Sequence, residues 1–357
     1  MTENINEYLK RRADEVNAKL DEVLKHKASE QYLTTLLGRS GYIYDMDAIN
    51  KSVFEPAWYL LGLGGKRLRS VLMLTVIDAL GKDSSQYLEF SLVPEVIHNA
   101  TLIHDDIEDG SADRRGSPAV HVKFGIDIGN NIGDFMYFFP LVVLLDSPKL
   151  TPETKRRAMS ICAREMLRCT VGQAIDIAWH NFLVDPFGIT EENYMQMVFS
   201  KTGVLSSMAA QLGGVICGAD DALTSALGRF GSTLGVAFQI QDDLLNIIPS
   251  GVSKNKGGVG DDITEGKITI YAIHAFRTLP ENERSRLMEI LRMHTQDQKL
   301  KDEAIALILK SGAVEHASGI QNRLVAEAWA GVDKLLPDSA GKEKLKQLLE
   351  FVVDRQI

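Results

Sequence analysis

The segment His104-Asp105-Asp106-Ile107-Glu108-Asp109, with Asp113-Arg114-Arg115-Gly116 after it, puts five carboxylates and two guanidinium groups within thirteen residues. On a helix, Asp105 and Asp109 are four residues apart and share a face, where like charges destabilise a bare helix by a few tenths of a kcal/mol. A hard divalent cation gives a reason to keep them, because magnesium prefers carboxylate and phosphate oxygens and retains water. A solvated acidic helix end is the plainer alternative. A second cluster, Phe238-Gln239-Ile240-Gln241-Asp242-Asp243-Leu244-Leu245-Asn246, follows the apolar run Leu234 to Ile240. Carboxylates at the end of a buried stripe are costly unless they are wet or metal-bound. Two such clusters suggest one cavity with acid on both sides, suited to a substrate with a charged head and a hydrocarbon tail.

Basic groups occur in three places. Gly64-Gly65-Lys66-Arg67-Leu68-Arg69 opens a helix after a glycine break, where unsatisfied N–H groups and the helix dipole favour anions. Arg114 and Arg115 lie just past the first acidic cluster, and Lys201-Thr202-Gly203 interrupts an apolar helical pattern. Each alone is more often a surface feature than a site. Together with the acids they fit magnesium-bridged binding of a diphosphate. A phosphate-binding loop of the nucleotide-hydrolase type does not fit: Gly260 to Lys267 has the wrong spacing, and Ile268 rather than Ser or Thr follows the lysine.

The elements that must position these groups are helices. Apolar residues recur at close to 3.6-residue spacing from Ile5 to Leu24, Arg69 to Leu80, Val93 to Ile107, Thr154 to Ile177, Tyr194 to Ile216, Ala222 to Ile247 and Lys299 to Leu309. No run alternates as a strand would. Pro56, Pro94, Pro118, Pro152, Pro186, Pro249, Pro280 and Pro337 fall at expected helix boundaries, and Pro140 should kink or end a helix. The 357 residues suffice for one large helical core, read as a single domain over 1–357, with a C-terminal helical segment from about 280 to 357. A net charge of −9 argues against a nucleic-acid partner. Three cysteines without metal-type spacing exclude a disulfide framework and point to a reducing, cytoplasmic setting. The stretch Met1 to Lys25 is too charged for a signal peptide, and the longest strongly apolar run, Met136 to Leu145, is about half a membrane span, so no integral membrane segment is expected.

With these residues in place, the sequence resembles the trans-isoprenyl diphosphate synthases, also called polyprenyl synthetases, and within them the geranylgeranyl diphosphate synthases. The resemblance runs from about Gly64 to Thr269. It rests on Gly-Gly-Lys-Arg-Leu-Arg, the first Asp-Asp-x-x-Asp, Arg-Arg-Gly, Gly172-Gln173-x-x-Asp176, Lys201-Thr202, the second aspartate-rich motif, and Gly260-Asp261-Asp262-Ile263 with Gly266-Lys267. It implies an all-α bundle of the isoprenoid synthase type with a central cavity, a homodimer, and Mg2+-dependent condensation of isopentenyl diphosphate with an allylic diphosphate. The product implied has twenty or more carbons, with geranylgeranyl diphosphate first. A farnesyl diphosphate synthase, a class I terpene cyclase and a non-catalytic partner subunit are the alternatives. The second acidic motif lacks the cyclase's Asn/Ser/Glu pattern.

By the same resemblance, Asp105 and Asp109 bind magnesium bridging the allylic diphosphate, with Asp106 in support. Asp242 holds a further magnesium, supported by Asp243. Arg114, Lys201, Gln239 and Lys267 contact the allylic diphosphate, and Thr202 lies beside the developing cation. Lys66, Arg69, His98 and Arg115 hold isopentenyl diphosphate. His98 precedes Asp105 by seven residues and so shares nearly the same helix face. Lys256 is the candidate for a loop lysine. Ala100 and Thr101, five and four residues before the first motif, set the product length. Asn246 stands where the family carries Asp and implies a weaker magnesium ligand.

Overall fold

In a computed structural model that describes residues 3–248 and 260–353, helices form where the apolar stripes run. The chain divides into two compact units. The first holds 1–160, 212–219 and 338–344, and the second 161–211, 220–337 and 345–357. Each is assembled from three separate stretches, so no single cut in the sequence separates them.

The first unit contains α1 (Ile5–Val23), α2 (Glu30–Leu37), α3 (Met46–Ile49), α4 (Glu55–Gly62), α5 (Leu68–Ala79), α6 (Leu88–Glu108), α7 (Val120–Phe124) and α8 (Ile126–Asp146). The start of α1 is fixed by a reciprocal cap: Glu7 N–H donates to Asn4 Oδ1 and Asn4 N–H to Glu7 Oε2, both at 3.0 Å. Helix α5 is buried on nearly every side, the pattern of a central core helix. Its Ser70 hydroxyl donates to the Ser91 carbonyl of α6 at 2.6 Å. Helices α6 and α8 pack most extensively on one another, around Ala100, Ile103, Ile132, Met136 and Phe139.

The second unit is built on α12 (Asp221–Ile247), which packs along α17 (Ala313–Val332). Around them lie α10 (Glu191–Val198), α13 (Asp261–Thr264), α14 (Ile270–Thr278), α15 (Glu281–Arg292) and α16 (Gln298–Lys310). Helices α9 (Pro152–His180), α11 (Val204–Ile216) and α18 (Ala340–Val353) contain residues of both units. The second core gathers Tyr194, Ile240, Leu244, Ile263, Tyr271, Leu287, Ile290 and Ile308.

Several expectations are corrected. Pro94 lies inside α6 rather than at its boundary, and α8 runs on through Pro140. Packing against neighbouring helices outweighs the ~3 kcal/mol that an interior proline costs. Helix α8 is 21 residues long, and by length and composition it is apolar enough to cross a membrane. The ten-residue run understated it, because the helix extends back to Ile126. One minimal antiparallel pair does form, Asp113–Arg114 against Ser117–Pro118. Lys201-Thr202-Gly203, which interrupts the apolar pattern of the Tyr194 to Ile216 stripe, lies on a continuous helical path as that stripe implies. It belongs to a π-helical turn, Phe199–Gly203, that joins α10 to α11. A second π turn, Asn50–Phe54, precedes α4. The three cysteines are free thiols.

Candidate active site

Helix α6 carries the first acidic cluster at its C-terminal end. Asp109 is the C-cap, and its N–H donates to the Asp105 carbonyl at 2.8 Å, so the two acids are one helical turn apart. Both are half-buried, and Asp106 between them is fully buried. Arg114 explains how that burial is tolerated: its Nε donates to both Asp106 oxygens, at 2.8 and 3.1 Å, and Nη2 closes a second bond. Burial pushes the Asp106 carboxyl above its usual range, and the Arg114 guanidinium pulls back against that. The same guanidinium lies 3.8 Å from an Asp105 oxygen. Asp106 therefore anchors Arg114, while Asp105 and Asp109 supply hard oxygens at a half-open helix end. That donor set suits magnesium.

The short hairpin sets both arginines. Its two central residues, Arg115 (φ 55°) and Gly116 (φ 74°), have the positive φ that a type I′ turn requires. Arg115 Nη1 donates to the Gly64 carbonyl, and Nη2 reaches Asn99 Oδ1 at 3.4 Å. Asn99 in turn donates to Glu95, whose Oε1 also accepts from Arg67 at 3.1 Å. Arg67 occupies the left-handed N-cap position of α5 at φ 50° and is completed by Asn17 and the Leu61 carbonyl. His98 lies among these cations. Burial, then the charges of Arg69, Arg115, Arg114 and Arg67, hold its ring well below the ordinary histidine range, so it is neutral. Its enclosed Nδ1 has no hydrogen-bond partner among the described residues. An enclosed, unsatisfied imidazole nitrogen beside several guanidinium groups is a setting for an anionic ligand. Lys66 is exposed and Arg69 half-buried in the same segment.

In the second unit, Lys201 and Thr202 sit on the π turn, a feature frequent at functional sites. Helix α9 approaches that turn so closely that a Cβ on Gly172 would lie 2.3 Å from the Lys201 nitrogen. One turn further along α9, buried Asp176 accepts from Lys201 Nζ at 2.6 Å. Thr202 donates to Gln239 Oε1 at 3.1 Å, Gln239 Nε2 donates to Asp243 Oδ1 at 2.9 Å, and the Tyr194 hydroxyl donates to Asp243 Oδ2 at 2.6 Å. Burial pushes the Asp243 carboxyl up to about 6, against the hydrogen bonds from Gln239 and Tyr194. Both Asp243 oxygens are thus engaged, whereas Asp242 beside it is half-buried. Tyr271 donates to Asp262 at 2.9 Å, and Lys267 pairs with Glu265 at 2.6 Å.

Asn246 has a definite position. Its Oδ1 accepts the Asp262 N–H at 3.2 Å, and its carbonyl accepts the Gly260 N–H at 2.9 Å, so it fastens the start of α13. Lys256 lies outside the described residues. Thr101 is half-buried, with its hydroxyl on the His98 carbonyl, while Ala100 is fully buried in the first unit's core.

Sequence reasoning overlooked Glu95 and Asn99, although they are polar breaks four residues apart in an apolar helix, and gave Arg67 no role beyond its basic segment. It gave Asp176 and Asp262 no role beyond their motifs. Tyr194 and Tyr271 left no signal, because a buried tyrosine in sequence looks like any core aromatic.

Comparison with known proteins identifies the family and the fold. The polyprenyl synthetase family model matches residues 50–308. The geranylgeranyl diphosphate synthase of Saccharolobus solfataricus is 33% identical over 310 residues, 86% of this chain and 91% of that protein. The crystal structure of geranylgeranyl pyrophosphate synthetase from Pyrococcus horikoshii superimposes with a TM-score of 0.83 at 28% identity, covering 98% of this chain and 99% of that one. The polyprenyl synthase of Caulobacter crescentus, solved in complex with calcium and isoprenyl diphosphate, gives 0.81 at 25% identity, covering 100% and 99%. Motif, fold and family model converge: this chain belongs to the polyprenyl synthetases and is a prenyltransferase.

Proposed function

We propose that this prenyltransferase condenses isopentenyl diphosphate with an allylic diphosphate, in the presence of magnesium, to give pyrophosphate and a trans-polyprenyl diphosphate of twenty or more carbons. Geranylgeranyl diphosphate is the first expected product. The observation that carries the reading is the half-open Asp105/Asp109 pair beside a cluster of guanidinium groups and one neutral histidine.

Asp105 and Asp109 would hold magnesium, and Asp242 a further magnesium. Bound there, magnesium supplies Lewis-acid neutralisation of the departing pyrophosphate. Arg114, oriented by Asp106, and Lys201, oriented by Asp176, add positive charge at the same leaving group, together with Lys267. The allylic C–O bond breaks and pyrophosphate leaves with the electron pair. Gln239, held by Asp243, contacts the allylic diphosphate, and Thr202, bonded to Gln239, lies beside the developing cation. Lys66, Arg69, His98 and Arg115 hold isopentenyl diphosphate so that its double bond attacks, forming the new C–C bond. The proton then lost goes to pyrophosphate, so no protein base is required. Lys256 is retained as the loop lysine.

One domain spanning both units is proposed as the working unit, since neither unit is continuous in sequence. A homodimer is proposed from α8, which leaves Ile126, Phe138 and Leu145 exposed while its other face packs into the first unit's core. The enzyme is placed in the cytoplasm on its three free thiols.

The test is turnover with and without chelator, and in Asp105→Ala. Chelation should abolish product, and the substitution should lower the rate at least ~100- to 1000-fold. Full activity in excess chelator would overturn the reading.

A further inference from the structure

Three side chains from three helices of the second unit meet away from the acidic motifs. Glu191 opens α10, His274 lies on α14 and His316 on α17. A ligand atom from each lies within 4.8 Å of the other two, and all three residues are half-buried. His316 Nε2 is 2.8 Å from Glu191 Oε1. The two imidazoles stack with centroids 4.2 Å apart and 26° between their planes. His274 Nε2 lies 3.2 Å from the Ser311 carbonyl. A carbonyl only accepts, so that nitrogen carries the proton, and the lone pair of the neutral ring is on Nδ1.

We propose that Glu191, His274 and His316 form a binding site for a borderline transition-metal ion of the zinc class, separate from the magnesium site. Two imidazoles and one carboxylate are a donor set that zinc takes with a fourth position left for water. Imidazole favours zinc over magnesium, which would leave the ions sorted between the two sites. The Ser311 carbonyl supplies the outer hydrogen bond that fixes a metal-binding histidine's tautomer. With Zn–N bonds of about 2.0–2.1 Å, tetrahedral ligands stand roughly 3.3 Å apart. The His316–Glu191 pair must therefore open by about half an ångström, and the stacked rings must turn apart about their soft terminal torsions. Metal entry needs the lone pair of His316 Nε2, so the proton shared with Glu191 moves to Nδ1 of the same ring, or to solvent if Nδ1 already carries one.

The position gives the site a consequence. Glu191 is three residues before Tyr194, which holds Asp243, and His274 is three residues after Tyr271, which holds Asp262. A metal shared by α10, α14 and α17 ties together the helices that carry both tyrosines.

The test is titration of the full-length protein with Co2+ in excess Mg2+, followed by Zn2+ displacement and thermal melting. Wild type should take up one Co2+ per chain, with the visible absorption of a four- or five-coordinate, nitrogen-ligated ion, and lose it to Zn2+. Zinc at 100 times its Kd should raise Tm by about 4 °C. Glu191→Gln, His316→Gln and His274→Ala should each lose the absorption and the Tm rise while keeping the wild-type circular dichroism. Absence of the band in wild type, or equal Co2+ uptake and Tm rise in all three variants, would overturn the proposal.

Discussion

Asn246 illustrates how a side chain's neighbours change its meaning. Beside the family's aspartate it reads as a weakened magnesium ligand. In the structure its amide oxygen caps the Asp262 N–H at the start of α13. Aspartate can accept the same bond and add a hard ligand four residues from Asp242, so Asn246→Asp should preserve or raise activity and tighten the magnesium requirement. Asn246→Ala leaves that N–H without its acceptor and should cost about 1 kcal/mol of stability along with turnover. Initial rates across a magnesium titration, with melting curves, check both. A dead Asn246→Asp enzyme would show that the amide itself is needed. The basic residues sort in the same way. Arg115 and His98 belong to one cluster in the first unit, whereas Lys201 answers to Asp176 in the second. Arg115→Ala and His98→Ala should chiefly raise KM for isopentenyl diphosphate, and Lys201→Ala should act on the allylic partner or on kcat. Equal effects on both substrates in all three variants would contradict the assignment.

At the scale of elements, helix α6 relates chemistry to product length. With a rise of 1.5 Å per residue, Thr101 and Ala100 lie about 6 and 7.5 Å below Asp105 along the helix. Ala100 is packed in a core that also holds Phe54 and Phe139, with Phe135 against it, while Thr101 keeps some exposure. A phenylalanine at 100 should therefore cost ~1–3 kcal/mol by overpacking. Thr101→Phe should be the cleaner probe, shifting product towards fifteen carbons while sparing the first condensation. Sizing the products of both variants alongside their melting midpoints separates the effects, and an unchanged product distribution would remove these positions from length control. The helices themselves were legible because their stripes keep the helical period. What escaped was local. The π turn at Lys201 depends on how closely α9 approaches at Gly172, and that spacing is tertiary. Pro94 reads as a boundary, and Pro140 as a kink or an end, because the packing that carries a helix through a proline involves residues distant in sequence. The Arg115-Gly116 hairpin is too short to show strand alternation.

The whole molecule is acidic, at −9, yet its proposed substrates are anionic. Local charge resolves this: each unit sets cations beside its acids, Arg114, Arg115 and Arg69 in the first and Lys201 and Lys267 in the second. Fold class and chemistry were readable because paired motifs in fixed order are specific as a set. The division into two units was not, since each is interleaved in sequence and no linker marks it. The central claim is tested most directly by incubating the purified protein with magnesium, isopentenyl diphosphate and allylic starters of increasing length, then sizing the chains. Elongation to twenty carbons or more with release of pyrophosphate, absent without metal, is the expected result. Termination at fifteen carbons would contradict the product assignment, and no elongation of any starter would contradict the account as a whole.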